Sequence, residues 1–282
     1  MDNLLISICV ITYNSSQTVL ATLNSIKNQN YKNIELIISD DYSKDNTIEI
    51  VNGWLKDNKE RFSRVKFITT DKNTGVTGNV NRAVKECQGE FIKTIGADDV
   101  LLPEYVSECV NYFKKNTTAQ VLFTKLKLID EDGNELLDNK INYDFFNLNT
   151  KEQFKYIIKH HLPFLPTPSS IYKKEIFEKF GYFDERIPMW EDGPMYFRLI
   201  KNGISFHLLD KELVLYTILE TSLSNSVPFR HRRSIAQFFF LYLFRYEVKQ
   251  NFIKAIYHCF KFFLMYFSNN KLFNYMLNTF FK

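Results

Sequence analysis

Two neighbouring carboxylates, Asp98 and Asp99, follow the apolar run Glu90-Phe91-Ile92-Lys93-Thr94-Ile95 in the segment Gly96-Ala97-Asp98-Asp99-Val100-Leu101-Leu102-Pro103. The run reads as a buried strand, and the C-terminal end of such a strand is where open α/β sheets bind ligands. Adjacent carboxylates repel, so a hard divalent cation that also takes the phosphates of a nucleotide would account for the pair. A turn and helix cap ahead of Pro103 would account for it too. Polar groups recur at equivalent places. Thr12-Tyr13-Asn14-Ser15 follows the run from Leu5 to Ile11, and Asp40-Asp41-Tyr42-Ser43-Lys44-Asp45 follows Ile34 to Ile38. A Tyr ring can stack on a base, and an Asp can accept the imino N–H of a uracil. The loop from Asn73 to Asn81 adds Gly75 and Gly78, which let backbone approach a ligand closely. Singly, Asp40, Asp41 and Asp45 could be caps of the next helix, and Asn73 to Gly75 only a turn. Four such groups at successive strand ends favour a binding crevice. A third acidic group, Glu191-Asp192, opens a predicted helix, where negative charge is favourable in its own right.

The elements that must hold these residues alternate. Strand patterns at Leu5–Ile11, Ile34–Ile38, Val65–Ile68 and Phe91–Ile95 are separated by helical patterns. The first helix carries Val19, Leu20, Leu23 and Ile26 after a possible Ser16 cap, the second runs from about Asn46 to Lys56, and the third from Val76 to Cys87. Regular βαβα order implies a mostly parallel, doubly wound α/β sheet with its crevice at the strand C-termini. The second half breaks this rhythm. Gln120–Phe123 and Lys127–Ile129 read as two strands before an Asp132-Gly133 turn, and Leu137 to Asn149 is polar and weakly patterned. Pro163, Pro166 and Pro168 enforce extended backbone before Ser169–Tyr172. A helix follows from Trp190 to Asn202, closed by Gly203, and then two short strands, Ile204–Leu209 and Leu213–Thr217. The expected organisation is a catalytic domain over 1–227, with a nucleotide-binding half to about 100 and an acceptor half from 101, and a helical tail over 228–282.

Charge separates the tail from the body. The chain has 36 Lys and Arg against 32 Asp and Glu, a net of +4. From Pro228 onward there are nine basic residues and one acid, Glu247, a net of +8, which leaves −4 on the rest. Ile253, Ile256, Tyr257, Phe260, Phe263, Leu264 and Phe267 form an apolar stripe, with Lys254, His258 and Lys261 off it or at its edge. The stripe can pack on the body, lie on an anionic membrane surface, or join two copies. No run reaches a membrane-spanning length, since Arg245, Lys249, Lys254 and Lys261 interrupt the tail. The first apolar run lacks a basic leader and reads as a strand, so the chain is expected in the cytoplasm, peripheral to the membrane at most. Cys9, Cys87, Cys109 and Cys259 have no paired spacing and read as reduced core thiols. His160-His161 reads as a surface helix end. There is no GxGxxG after the first strand, no GxxxxGK[ST], no HExxH and no legible Ser/His/Asp set, so diphosphate charge falls to a metal.

In five ordered places the sequence resembles family 2 glycosyltransferases. These are Ser7 to Asn14; Ile37 to Asp45; Asn73-Thr74-Gly75 with Asn81-Arg82-Ala83; Gly89-Glu90-Phe91-Ile92 leading to Asp98-Asp99; and Gly181-Tyr182-Phe183-Asp184-Glu185 with Glu191-Asp192 and Arg198-Leu199. The resemblance spans about residues 5 to 220. It implies a GT-A fold, a nucleotide-sugar donor, usually UDP-linked, and inversion at the anomeric carbon. By position it implies that Tyr13 and Asp41 contact the base, with Thr12, Asn14, Asn73, Gly75 and Asn81 in the donor site. It puts Asp98 and Asp99 at the ribose and at Mn²⁺ or Mg²⁺, and makes Asp192 the general base, with Glu191 the competing candidate. The family's usual Asp-x-Asp is Gly96-Ala97-Asp98-Asp99 here, one acidic position fewer, and the Arg often found before the second Asn of the third block is Val80.

The expected function is therefore metal-dependent, inverting transfer of a hexosyl or N-acetylhexosaminyl group to a lipid-linked saccharide in bacterial surface polysaccharide synthesis. A non-catalytic nucleotide- or sugar-binding module and a sugar-phosphate nucleotidyltransferase are the alternatives. The latter would want a Gly-rich, Arg-containing first loop, which Thr12-Tyr13-Asn14-Ser15 is not. The acidic crevice argues against nucleic acid as the main partner. Sugar, acceptor, linkage and oligomeric state, including a homodimer, stay open.

Overall fold

A computed structural model describes residues 4–137, 141–160, 165–218 and 229–267. The first hundred residues follow the alternation: β1 (Ile6–Thr12), α1 (Val19–Lys27), β2 (Ile34–Asp40), α2 (Thr47–Asn58), β3 (Arg64–Ile68), α3 (Gly75–Val84) and β4 (Phe91–Gly96). β1 pairs in parallel with β2 and β4, and β2 with β3, so the four C-termini share one edge. β1 and β2 are apolar runs because helices cover both faces. α1 and α2 supply Val19, Leu23, Ile26, Val51 and Trp54 to one core; α3 supplies Val80, Ala83 and Val84 to the other. One of the buried charges in this half lies away from the strand C-termini. Glu35 accepts hydrogen bonds from Ser7, Gln88, Gly89 and Arg64, which together outweigh the cost of its burial and hold its carboxyl below the usual range.

The remaining elements are β5 (Val100–Leu101), α4 (Tyr105–Lys115), β6 (Val121–Ile129), β7 (Glu135–Leu136), α5 (Thr150–His160), β8 (Ile171–Lys173), α6 (Glu175–Phe180), α7 (Asp192–Lys201) and β9 (Phe206–Thr217). Among the described residues nine strands make one sheet, ordered β3-β2-β1-β4-β8-β6-β9-β5 with β7 beside β6. β8 runs antiparallel to β4 and β6, whereas β6 and β9 are parallel. The two expected pairs of short strands are each one long strand. Their polar interruptions, Thr124-Lys125 and Asp210-Lys211-Glu212, meet at register shifts, so a bulge absorbs them where a break between two strands was expected. The Asp132-Gly133 turn joins β6 to β7, with Gly133 at a φ of +84°. The expected extended stretch at Pro166–Pro168 contains a 3₁₀ turn over Thr167–Ser169, which puts Thr167 in the site below.

Three helices follow: α8 (Phe229–Phe238), α9 (Phe244–Gln250), separated by a π-helical turn over Phe239–Leu243, and α10 (Phe252–Phe267). Ala236, Phe238, Phe239 and Leu243 enter the same core as α5 and α7. The apolar stripe on α10 does not pack on the body. Ile253 is 80% exposed and Phe252, Ile256, Tyr257, Phe260 and Phe263 are exposed as well, while Ala255 and Phe262 on the opposite side are buried. Two apolar faces compete on this helix, and the one nearer Phe239 is turned inward, with the Phe262 ring 4.3 Å from it. The side chains of Leu264 and Phe267 and all of His161 lie outside the described residues. All four cysteines are free.

Candidate active site

Asp98 and Asp99 occupy the turn between β4 and β5. Asp99 is 3% exposed, and its carboxylate accepts the backbone N–H of Thr217 at 3.2 Å. Burial, then the charge of Asp98, push the Asp99 carboxyl well above its usual range; burial also raises Asp98. No side-chain hydroxyl or amide is paired with either carboxylate among the described residues, and the buried Lys93 offsets only part of the charge on Asp99. The donor set fits a hard cation taking one or two carboxylates with phosphates and water as the rest. No group of three His, Cys, Asp or Glu able to hold a metal occurs among the described residues, so such an ion would draw most of its ligands from the donor and water. Gly96 matters here: a Cβ on it would lie 2.5 Å from Asp98 Oδ1, so glycine leaves room for the carboxylate to fold back. Beneath them Lys93 is fully buried, donating to Thr94 O at 2.7 Å and to Pro168 O. Burial lowers its ammonium to about 7, against the pull of Asp99.

The loops after β1 and β2 come together as the strand order requires. Asn14 N donates to Ser43 Oγ, and Asn14 Oδ1 accepts Lys44 N, each at 2.8 Å. Thr12 Oγ1 donates to Asp40 Oδ2 at 2.7 Å, and the Tyr13 ring is 50% exposed, open to a flat ligand. Asp41 is 2% exposed and accepts from Thr74 N, Thr74 Oγ1, Gly75 N and Arg82 Nη2 at 2.6–3.1 Å. Four donors fill its lone-pair sites, so a uracil N–H would have to displace one. The expected cap is real but belongs to α3, not to the helix after Asp41. Asn73 Oδ1 accepts Gly75 N at 3.2 Å. Gly75 has a φ of +82°, and a Cβ there would meet Pro188 O at 2.8 Å. Asn81 is spent on the protein itself: its amide bonds Phe183 N and O, tying α3 to the loop before Pro188.

That loop carries the second acid pair. Asp192 opens α7 with Oδ2 accepting Thr167 Oγ1 at 2.7 Å and Oδ1 accepting Gly193 N at 2.8 Å. Burial raises its carboxyl, and Thr167, Gly193 and the nearby His231 pull the other way. Glu191 is raised by burial and then by the charge of Asp192. The tail helps to hold this loop: Met189 N donates to Ser234 Oγ at 3.3 Å, His231 Nδ1 donates to Met189 O at 3.1 Å, and Trp190 packs edge-on against Phe238. The structure thus brings the loops of Thr12–Ser15, Asp40–Ser43 and Asn73–Gly75 together, and links the β4 end to the Asp192 loop through Lys93 and Thr167. Thr167, Lys93 and His231 escaped the sequence reading, and Arg82, quoted there within the third block, proves to be a partner of Asp41. Lysine in an otherwise apolar strand was the one visible signal; the others depend on contacts between distant segments.

The match of a family profile described as Glycosyl transferase family 2 to residues 7–181 agrees with this arrangement, and the chain belongs to that family. An uncharacterized glycosyltransferase of Methanocaldococcus jannaschii is 31% identical over 220 residues, 77% of this chain and 72% of that protein. The chain also matches chondroitin synthase of Escherichia coli, 29% identical over 72% of this chain, but spans only 28% of that relative. It is 29% identical to the Escherichia coli UDP-Glc:alpha-D-GlcNAc-diphosphoundecaprenol beta-1,3-glucosyltransferase WfgD over 51% of this chain and 55% of that one. Two solved structures share the fold. S. aureus TarS 1-349 in complex with UDP-GlcNAc has a TM-score of 0.64 at 22% identity, covering 83% of this chain and 66% of that one. The mannosyltransferase PcManGT from Pyrobaculum calidifontis, in complex with GDP-Man and Mn2+, has a TM-score of 0.63 at 13% identity, covering 86% and 64%. The chain is a glycosyltransferase with the GT-A fold.

Proposed function

We propose that the chain transfers a hexosyl or N-acetylhexosaminyl group, with inversion, from a UDP-sugar to a hydroxyl of a lipid-linked saccharide during surface polysaccharide synthesis. The observation that carries this reading is the pair of acid sites, Asp98-Asp99 after β4 and Glu191-Asp192 at the start of α7, joined through Lys93 and Thr167. Asp98 and Asp99 would hold a divalent cation, Mn²⁺ or Mg²⁺, which when bound offsets the negative charge on the departing diphosphate. Tyr13 stacks on the base, with Thr12, Asn14 and Asp41 around it. Asp192 takes the proton of the acceptor hydroxyl as its oxygen bonds to the anomeric carbon and the bond to the diphosphate oxygen breaks. A base so placed contributes typically ~10²–10⁴-fold.

The UDP-GlcNAc complex of TarS and the undecaprenol-linked substrate in the name of WfgD support the donor and acceptor classes. The tail supports a lipid-linked acceptor in its own way. Glu247, the one acid after Pro228, is 3% exposed and held by His258 at 2.8 Å, so it offsets little of the charge of Arg245, Lys249 and Lys254, which are exposed on the same segment as Phe252, Ile253 and Ile256. Among the described residues no helix is long and apolar enough to cross a membrane. The tail would lie on an anionic bilayer surface, the chain working from its cytoplasmic side. Flotation with anionic and with neutral vesicles checks this: binding to the anionic ones should fall about tenfold in Ile253→Asp/Ile256→Asp, and equal binding to both would reject it.

The deciding experiment is calorimetric titration with UDP, with Mn²⁺ and then with excess chelator. Metal-dependent micromolar binding that Asp99→Ala abolishes is the expected result. Binding of GDP or dTDP in place of UDP would keep the enzyme class and reject the base contact at Asp41, and no nucleotide binding at all would reject the donor site.

A further inference from the structure

Behind Asp192 lies a file of buried hydroxyls that the transfer chemistry does not itself require. Tyr172 on β8 and Tyr196 on α7 are each 1% exposed, and Tyr172 OH lies 3.3 Å from Tyr196 OH. Tyr196 sits beside Thr167 and Asp192, and Thr167 Oγ1 donates to Asp192 Oδ2 at 2.7 Å. A hydroxyl has one proton to give, and a carboxylate only accepts. Tyr172 accordingly donates to Tyr196, and Thr167 donates to Asp192. The Thr167 hydroxyl's other acceptor, Leu165 O, is 3.4 Å away and so the weaker one. The link from Thr167 to Asp192 is charge-assisted once the carboxylate is ionised.

The segment carrying Thr167 is itself fixed. Ser169 Oγ donates to Thr124 O at 2.8 Å and accepts Thr124 N at 3.0 Å, Tyr105 OH donates to Ser169 O at 2.7 Å, and the buried Lys93 ammonium donates to Pro168 O. Thr167 therefore takes its position from strands β4 and β6 and from helix α4, while Asp192 belongs to α7. The hydroxyl joins a rigid part of the sheet to the one carboxylate placed to take an acceptor proton.

We infer that Thr167 is the positioning residue of Asp192: it fixes which carboxylate oxygen faces inward and stabilises the charged form. The inference rests on the reading of Asp192 as the base. Ionisable groups facing Asp192 are Glu191 beside it, Tyr196 on its own helix, Tyr172 from β8 and His231 from α8. Burial holds both phenols above the usual tyrosine range, so they remain donors wherever the enzyme works.

The test is a carboxyl-carbon NMR titration of protein labelled in its aspartates, the Asp192 signal being identified by its loss in Asp192→Asn. Thr167→Val should move the midpoint upward by about one pH unit, since the lost bond stabilised the carboxylate. Thr167→Ser, which keeps the hydroxyl, should restore the wild-type midpoint. UDP release from UDP-GlcNAc and UDP-glucose with Mn²⁺ and water as acceptor gives the kinetic side: kcat in Thr167→Val should fall roughly tenfold with KM little changed. An unmoved midpoint in Thr167→Val, or an equal shift in Thr167→Ser, overturns the inference. The titration needs no donor, so it decides the matter even where neither donor turns over. Turnover retained in Asp192→Asn would instead remove the base role from Asp192, whatever the midpoints do.

Discussion

Asp98-Asp99 and Glu191-Asp192 are the same chemical device, two carboxylates on consecutive residues, placed in two different surroundings. The first pair sits in a turn after a parallel strand, and Asp99 draws its hydrogen bond from a backbone N–H, that of Thr217. The buried Lys93 offsets part of the charge on Asp99, and the remainder suits the turn to a ligand that brings its own positive charge. The second pair sits at a helix start, where Thr167 and Gly193 each donate to Asp192 and His231 lies nearby. Here the protein supplies the stabilisation, and the carboxylate is left able to gain and lose a proton. On the proposed reading, identical residue types serve as a cation site or as a base according to whether the ligand or the protein supplies the compensation.

Asp192→Asn separates the two sites most strongly. UDP release in the presence of acceptor should fall by about 10²–10⁴-fold, while calorimetry with UDP and Mn²⁺ gives nearly the wild-type affinity. Loss of both together would mean that the two pairs are not distinct in function.

Gly96→Ala sharpens the other side. The added Cβ would fall 2.5 Å from Asp98 Oδ1, so that carboxylate has to swing away. Metal affinity measured by Mn²⁺ titration should drop about tenfold, in the range of other changes that misalign a ligand. The melting temperature should hold, because the displaced atom is the end of a side chain. Unchanged metal affinity would show that Asp99 alone suffices.

The smallest effect concerns pH. Burial and the Asp192 charge raise the Glu191 carboxyl, and burial raises Asp192. A base with a raised pKa is protonated, and idle, at pH values where an ordinary carboxylate already works, so activity should rise with pH above the usual carboxylate range. Glu191 is pushed up to about 8, so it is neutral while Asp192 ionises, and Glu191→Gln should leave that limb in place. Activity lost in Glu191→Gln would place the base at Glu191 instead.

Much of the first half was legible because its determinants are local. Apolar runs covered on both sides by helices, separated by helical periods, specify β1 to β4 and their order within a few residues, and parallel pairing then brings the loops at Thr12, Asp40 and Asp98 to one edge. The second half was harder for a physical reason. A polar interruption such as Thr124-Lys125 looks the same whether it ends a strand or is absorbed as a bulge, and only its partner β9 decides. The same holds for α10, where apolar residues lie on both sides and Phe239 determines which side is buried.

By itself the sequence determined which chemistry is present and at which strand and helix ends: the acid pairs, the exposed Tyr13 loop, the glycines, the basic tail. What each carboxylate does was decided by the tertiary structure. Asp41 finds Thr74 at a separation of 33 residues, Asp192 finds Thr167 at 25, and Asp99 finds Thr217 at 118. Periodicity is written within a few turns of chain, whereas the charge state of a buried acid depends on donors and dielectric that only folding brings beside it.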